Sequence, residues 1–256
     1  MRNILSVAGK ELRQYFHSPI AYLVITIYAV LCGYFFYALT GTFVMESFRM
    51  QMGGGAMPMS LNDMVVRPLF AGILTVVLLL LAPLITMRLF AEEKRTGTIE
   101  LLLTSPLTDL QIILGKFFGA LGLYLALALL TFLYVGLLFL YGNPDLKPIL
   151  ANALGFVLFG AALLSLGMWV STFTRNQIIA AVVSFALFLM LFVLDWISSL
   201  SSTAAGRVLS YLSLTTHFDS FTKGVIDSSD LVYFLSIIVL GIFLTARSVE
   251  ALKGRP

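Results

Sequence analysis

Six stretches of this chain are apolar for long enough to cross a bilayer as helices. They cover roughly residues 20–39, 69–87, 112–141, 149–173, 178–194 and 231–246. A helical crossing takes about 20 predominantly apolar residues, because the hydrocarbon layer is about 30 Å thick. The runs are continuous rather than alternating, which excludes a β-barrel. Only 11% of residues are charged, whereas a soluble domain carries about 25%. The pattern predicts one all-α integral membrane domain over residues 1–256. The third run is long enough to tilt, and the ends of the short fifth and sixth runs are the least sharply marked. The first is no signal peptide: its polar lead-in and its apolar run are too long, and no small-residue cleavage site follows.

An even number of spans places both termini on one side. With the termini in the cytoplasm, Arg2, Lys10, Arg13, Arg88, Lys94, Arg95, Lys116, Arg175, Arg247, Lys253 and Arg255 lie inside. Arg49, Arg67, Lys147, Arg207 and Lys223 lie outside, so eleven of the 16 basic residues favour this orientation. The net charge of +3 reflects that bias and carries no nucleic-acid signal. Cys32, the single cysteine, sits inside the first span, where a lone thiol reads as packing.

Ahead of the first span, Ile4, Leu5, Ala8, Leu12, Tyr15 and Phe16 recur at helical spacing among polar residues that include Lys10, Glu11 and Arg13. Residues 1–19 are therefore expected to form an amphipathic helix lying in the headgroup layer; a frayed tail is the alternative. Ser18-Pro19 turns the chain into the membrane. The first outer loop, about 40–68, holds Gly53-Gly54-Gly55 and six of the ten methionines. Met50, Met52, Met57 and Met59 form Met-x-Met pairs whose soft thioethers suit Cu(I). No histidine or cysteine stands beside them, so an adaptable apolar loop reads better, and no metal site is assigned. The last outer segment, about 195–230, contains helix-like pieces too short to cross. They dip into the outer leaflet as half-helices or lie on the surface, and the sequence weighs the two alike.

Charge is concentrated between the second and third runs. Glu92-Glu93-Lys94-Arg95 follows the anchor Arg88, and Gly97 then breaks the helix. A second short helix is expected from Thr98, with Glu100 in its first turn, where a negative charge suits the backbone dipole. Ile99, Leu102 and Leu103 share one face of it, and Ser105-Pro106 ends it. Thr108-x-x-Gln111 has the form of a capping box that opens the third span. Snorkelling anchors need only lysine and arginine. Paired glutamates, a glycine break and an apolar stripe suggest a docking surface for another protein, or else an interfacial helix that buries its leucines in lipid. Gly115-x-x-x-Gly119 permits close helix approach, within one chain or across a dimer seam.

The stretch EEKRTGTIELLLTSPLTDLQIILGKF (92–117) resembles the signature of ABC-2 type permeases, the membrane subunits of one class of ATP-binding cassette transporter. Glu92, Glu93, Gly97, Thr98, Glu100, Leu102, Pro106, Gly115 and Lys116 match it. KELRQYFHSPIAY (10–22), FTRNQ (173–177) and HFDSFTKGVIDSSDLVYF (217–234) resemble the family in the same order. Within it the chain looks closest to the gliding-motility-associated permeases, neighbours of the copper-enzyme maturation permeases. The resemblance implies a type V exporter-like fold: an interfacial connecting helix, a coupling helix over 92–105 seated in a separate ATPase subunit, and re-entrant half-helices before span 6. It also implies a second permease chain, identical or related, a bacterial inner membrane location, and a coupling contact shaped by Glu92, Glu93, Gly97 and Glu100.

Other chemistry is missing. No G-x-x-x-x-G-K-[ST] loop exists, so ATP and Mg²⁺ are expected in the partner and no cofactor in this chain. No H-E-x-x-H, G-x-S-x-G or C-x-x-C motif occurs, and His17 and His217 stand alone. Midplane carboxylates, usual in ion-coupled carriers, are absent. The expected function is therefore the permease subunit of an ATP-driven transporter, exporting a substrate the sequence does not name. Two alternatives have less support. A lipid-modifying enzyme would have to use the scattered Asp195, His217, Asp219, Lys223 and Asp227. A non-transporting scaffold of a gliding or envelope machine would not require hydrolysis.

Overall fold

The computed structural model describes residues 2–53, 60–99, 107–199 and 204–253, and among these it is helical with no strand. Six helices are long and apolar enough to cross a membrane, and the chain is a multi-pass membrane protein. Helix α1 (Arg2–His17) precedes them. The first span is α2 (Pro19–Gly53), and the second contains α3 (Thr75–Thr86) and runs toward the short α4 (Ala91–Thr96). Then follow α5 (Asp109–Tyr141), α6 (Leu146–Ser171) and α7 (Gln177–Ser199). Two short helices, α8 (Ala204–Leu212) and α9 (Leu214–Thr222), lead into the last span, α10 (Ser228–Lys253).

The first outer segment differs from expectation. Instead of a low-complexity loop from residue 40, α2 continues to Gly53. Residues 40–52 contain no proline and supply Phe43, Val44, Met45, Phe48 and Met50, so the helix runs through the lone Gly41 as far as Gly53. At 1.5 Å per residue its 35 residues extend about 52 Å, well beyond the hydrocarbon thickness. The second span also starts earlier than expected, near Leu61. It is π-helical over Asn62–Val66 and Leu69–Leu74, on either side of Pro68. Proline removes one backbone donor, and widened turns are a common accommodation of such a disruption.

Helix α6 is the hub: 72% of its apolar window is buried, against 22% for each of α2 and α7, which lie at the rim. Small residues make this possible. Gly160 lies under the Tyr124 ring, where a Cβ would come within 2.1 Å of a ring carbon, and Tyr124 donates to Phe156 O at 2.5 Å. On the last outer segment, α9 buries Leu214, His217, Phe218 and Phe221 among the spans. Phe218 meets Phe159, near the middle of α6, at 5.1 Å between ring centroids. His217 links α9 to the last span through Asp230 at 2.6 Å and accepts the Tyr233 ring in a stack 3.8 Å away. Arg67 reaches Asp219 at 3.3 Å, and Lys223 pairs with the same carboxylate. Burial tends to raise the Asp219 carboxyl, but hydrogen bonds from Lys223 and Arg67 outweigh it and hold the group below its ordinary range.

Candidate functional site

The elbow that follows the second span is assembled by one buried cation. Lys116, at the start of α5, is 1% exposed. Its ammonium donates to Glu11 Oε1 of α1 at 2.8 Å and to Glu93 Oε1 of α4 at 2.7 Å, and lies 5.3 Å from the Phe90 ring centroid. The sequence reading places Lys116 only among the basic residues of the cytoplasmic side. It stays buried because two carboxylates from separate elements reach it, satisfying a charge that would otherwise be costly to desolvate. Two carboxylates around one ammonium leave a formal excess of one negative charge. Glu93 Oε2 is buried with no hydrogen-bond partner among the described residues.

Helix α1 is held against the spans along its length. The face built from Ile4, Val7, Ala8, Glu11, Leu12 and Tyr15 lies against α5 and the end of the second span, while Leu5, Lys10 and Arg13 are exposed on other sides. Gly115 and Gly119 form the seat. A Cβ on Gly115 would fall 2.5 Å from Val7 Cβ, and one on Gly119 would fall 2.6 Å from Glu11 Cβ. The small-xxx-small face therefore receives α1 of the same chain. Tyr15 donates to Ile85 O at 2.6 Å, and burial, reinforced by the Glu11 carboxylate, pushes its phenol well above the ordinary value. Arg88 stacks over the Tyr15 ring at 4.6 Å, donates to Gln14 O at 3.3 Å and approaches Glu92 at 3.5 Å.

Helix α4 has Glu92 and Glu93 in its first turn and Lys94 and Arg95 in its last, the arrangement its dipole favours. Lys94 donates to Thr172 O, which ties the elbow to the loop after the fourth span. Gly97 closes α4 at φ 72°, a left-handed conformation that glycine adopts without Cβ strain. Thr98 is exposed beyond it, its hydroxyl 2.9 Å from that of Thr96, and Ile99 turns inward to the core. Glu100, Leu102 and Pro106 lie outside the described residues. The third span opens on the expected capping box: Thr108 Oγ1 accepts from Gln111 N–H and Gln111 Oε1 from Thr108 N–H, both at 3.3 Å.

Of the outer methionines, Met50 is half-buried and Met52 exposed at the end of α2, and Met57 and Met59 lie outside the described residues. No group of three His, Cys, Asp or Glu side chains is placed to hold a metal among the described residues. Sequence reasoning missed the roles of Lys116, Arg88 and Tyr15. One signal was present: Glu11 occupies an inward position of the α1 repeat, four residues after Val7 and four before Tyr15, where a lone carboxylate calls for a buried cation.

A protein-family model described as ABC-2 family transporter protein matches residues 5–249. No curated protein matches the chain.

Proposed function

The chain belongs to the ABC-2 family of transporter proteins and is a permease component of an ATP-binding cassette transporter, and from that premise we propose how it is driven. A separate ATPase subunit docks on the elbow formed by α4 and the residues after Gly97, with Glu92, Glu93, Gly97, Thr98 and Glu100 shaping the contact. Two permease chains pair, both termini face the cytoplasm of a bacterial inner membrane, and the pair exports its substrate. ATP and Mg²⁺ reside in the ATPase; this chain supplies the path. Helix α1 lies in the headgroup layer, and α8 and α9 act as re-entrant half-helices at the outer side.

One observation carries this reading: Lys116 bonds at once to Glu11 and Glu93. A push on α4 therefore reaches α1 and α5 without an intervening flexible segment. Two buried charge-assisted bonds resist separation because parting any member strands a desolvated charge. The Lys94 bond to Thr172 O adds a connection to the fourth span. Short, packed connections of this kind move as one body, which a mechanical input requires.

The test replaces Glu92 and Glu93 together with alanine and reconstitutes the chain with its ATP-binding cassette subunit. The expected outcome is normal membrane insertion with release of the ATPase or loss of permease-stimulated hydrolysis. Unchanged co-purification together with unchanged stimulation would overturn the proposal.

A further inference from the structure

A second feature lies beside the elbow and is separate from the Lys116 cluster. A cavity of about 360 Å³ opens where the end of α1, the start of α2, α4 and the start of α7 converge. Its walls hold polar groups that the fold leaves unused. Arg95 and Gln14 are exposed at the rim and Gln177 is half-buried; Arg95 makes no ion pair or hydrogen bond with any described residue, and the side-chain amides of Gln14 and Gln177 are likewise uncommitted within the chain. Ser18 Oγ accepts from Ile20 N–H at 3.3 Å, which leaves its hydroxyl hydrogen to donate inward. Glu92 also lines the cavity, but Arg88 faces it at 3.5 Å and offsets its charge. The formal balance of the site is one positive charge, that of Arg95.

The backbone favours the same sign of ligand. Helix α7 begins at Gln177 on the cavity rim; Asn176 Oδ1 accepts from Ile178 N–H at 2.9 Å and satisfies one amide of its first turn, and the positive end of the 23-residue helix is otherwise placed at the rim. The opposing end of α1 is blunted, because Arg88 bonds Gln14 O and His17 Nδ1 bonds Arg13 O. One free guanidinium, two amides, a hydroxyl and a helix N-terminus around one space suit a tetrahedral oxyanion. The apolar edge suits a lipid. Ser18 and Ile20 bracket the turn from α1 into the first span, and Ile20 lines the cavity, so its apolar edge adjoins the start of that span.

We propose that this cavity is a phosphate-group site, filled by the headgroup of a phospholipid that braces α1 against α4. The site stands whether or not the elbow docks an ATPase, because it needs only groups within this chain.

The experiment is native mass spectrometry of the full chain extracted from membranes containing phosphatidylglycerol and a phosphate-free diglucosyl-diacylglycerol. The wild type is expected to retain phosphatidylglycerol in preference to the glycolipid. Arg95→Gln is expected to lower that retention about tenfold, the scale of one charge-assisted hydrogen bond. Arg95→Lys restores part of it, since the charge remains but the planar fork is lost. Arg247→Gln removes a charge outside the cavity and is expected to change nothing. Equal retention by the wild type and Arg95→Gln would overturn the proposal, as would equal retention of the two lipids or an equal loss in Arg247→Gln. A parallel melt with inorganic phosphate separates the sources. Stabilisation by phosphate of the wild type but not of Arg95→Gln, with no phospholipid retained, would keep the phosphate chemistry and overturn the lipid.

Discussion

Lys116 Nζ and Glu11 Oε1 lie 2.8 Å apart, joining residues separated by 105 positions in the chain. Glu93 shares the same ammonium at 2.7 Å. This makes the N-terminal helix, the elbow and the third span a single unit.

Removing the shared cation therefore strands two carboxylates at once. Lys116→Met is expected to destabilise the chain by about 3–5 kcal/mol, the cost of leaving buried charge unpaired. Adding Glu11→Gln and Glu93→Gln to Lys116→Met should recover most of that loss. Glu93→Gln alone should be mild, because its amide oxygen still accepts from Lys116 and the surplus charge is gone. Thermal unfolding in detergent, followed by size-exclusion recovery, reads all three.

Within α5 two glycines have opposite surroundings. Gly119→Ala would set a Cβ 2.6 Å from Glu11 Cβ, whereas nothing lies within 4 Å of a Cβ on Gly136. Gly119→Ala is expected to cost about 1–3 kcal/mol by overpacking and to make α1 protease-sensitive. Gly136→Ala should be neutral or slightly stabilising, since alanine is about 1 kcal/mol the better helix former. Limited proteolysis of α1 compares them directly.

Gly97 stands at φ 72° with open space around it, so its demand is conformational rather than steric. Gly97→Ala should cost about 1–2 kcal/mol of local strain, the left-handed penalty for a residue with a Cβ. Gly97→Asn should cost less, because asparagine visits that region. Hydrogen exchange over α4 would show faster opening in the alanine variant than in the asparagine variant.

Asp219 links Arg67 and Lys223 at the far end of the molecule, and its folded carboxyl is held below its ordinary range. A carboxyl lowered on folding contributes stability above its unfolded pKa, and that contribution is lost as pH falls through the folded value. Asp219→Asn should therefore melt below the wild type by a constant margin above about pH 4, and the margin should shrink in more acid solution. The effect is small, because the pair is well exposed to solvent. Melts across an acid pH series check it.

The only cysteine, Cys32, is buried, so the chain offers a quiet background for single-cysteine labelling. Thr98→Cys should react with an impermeant thiol reagent in inverted vesicles prepared without the ATPase subunit and not in intact cells. Labelling from the periplasmic side would reverse the proposed orientation and remove the docking surface with it.

Much of this architecture was legible in the residues alone. The number of spans followed from continuous apolar runs, the break at Gly97 from a glycine after a charged turn, and the start of α5 from Thr108 and Gln111. Each is a local property that nearby residues decide. The early stop assigned to α2 failed for a related reason: hydropathy marks where a bilayer ends, while the helix itself continues through Gly53.

Other features depended on what the fold brings together. Nothing near Lys116 in sequence predicts its burial, because its partners come from α1 and α4. That α9 packs against the spans follows from Phe218 and Phe221 meeting α6 and from His217 meeting Asp230. The sequence determined six membrane spans and the class of protein, since transfer of apolar side chains from water depends on each segment's own composition. Only the tertiary structure decided which charges are paired, because the cost of desolvating an ion is set by whichever distant residue is brought to within about 3 Å of it.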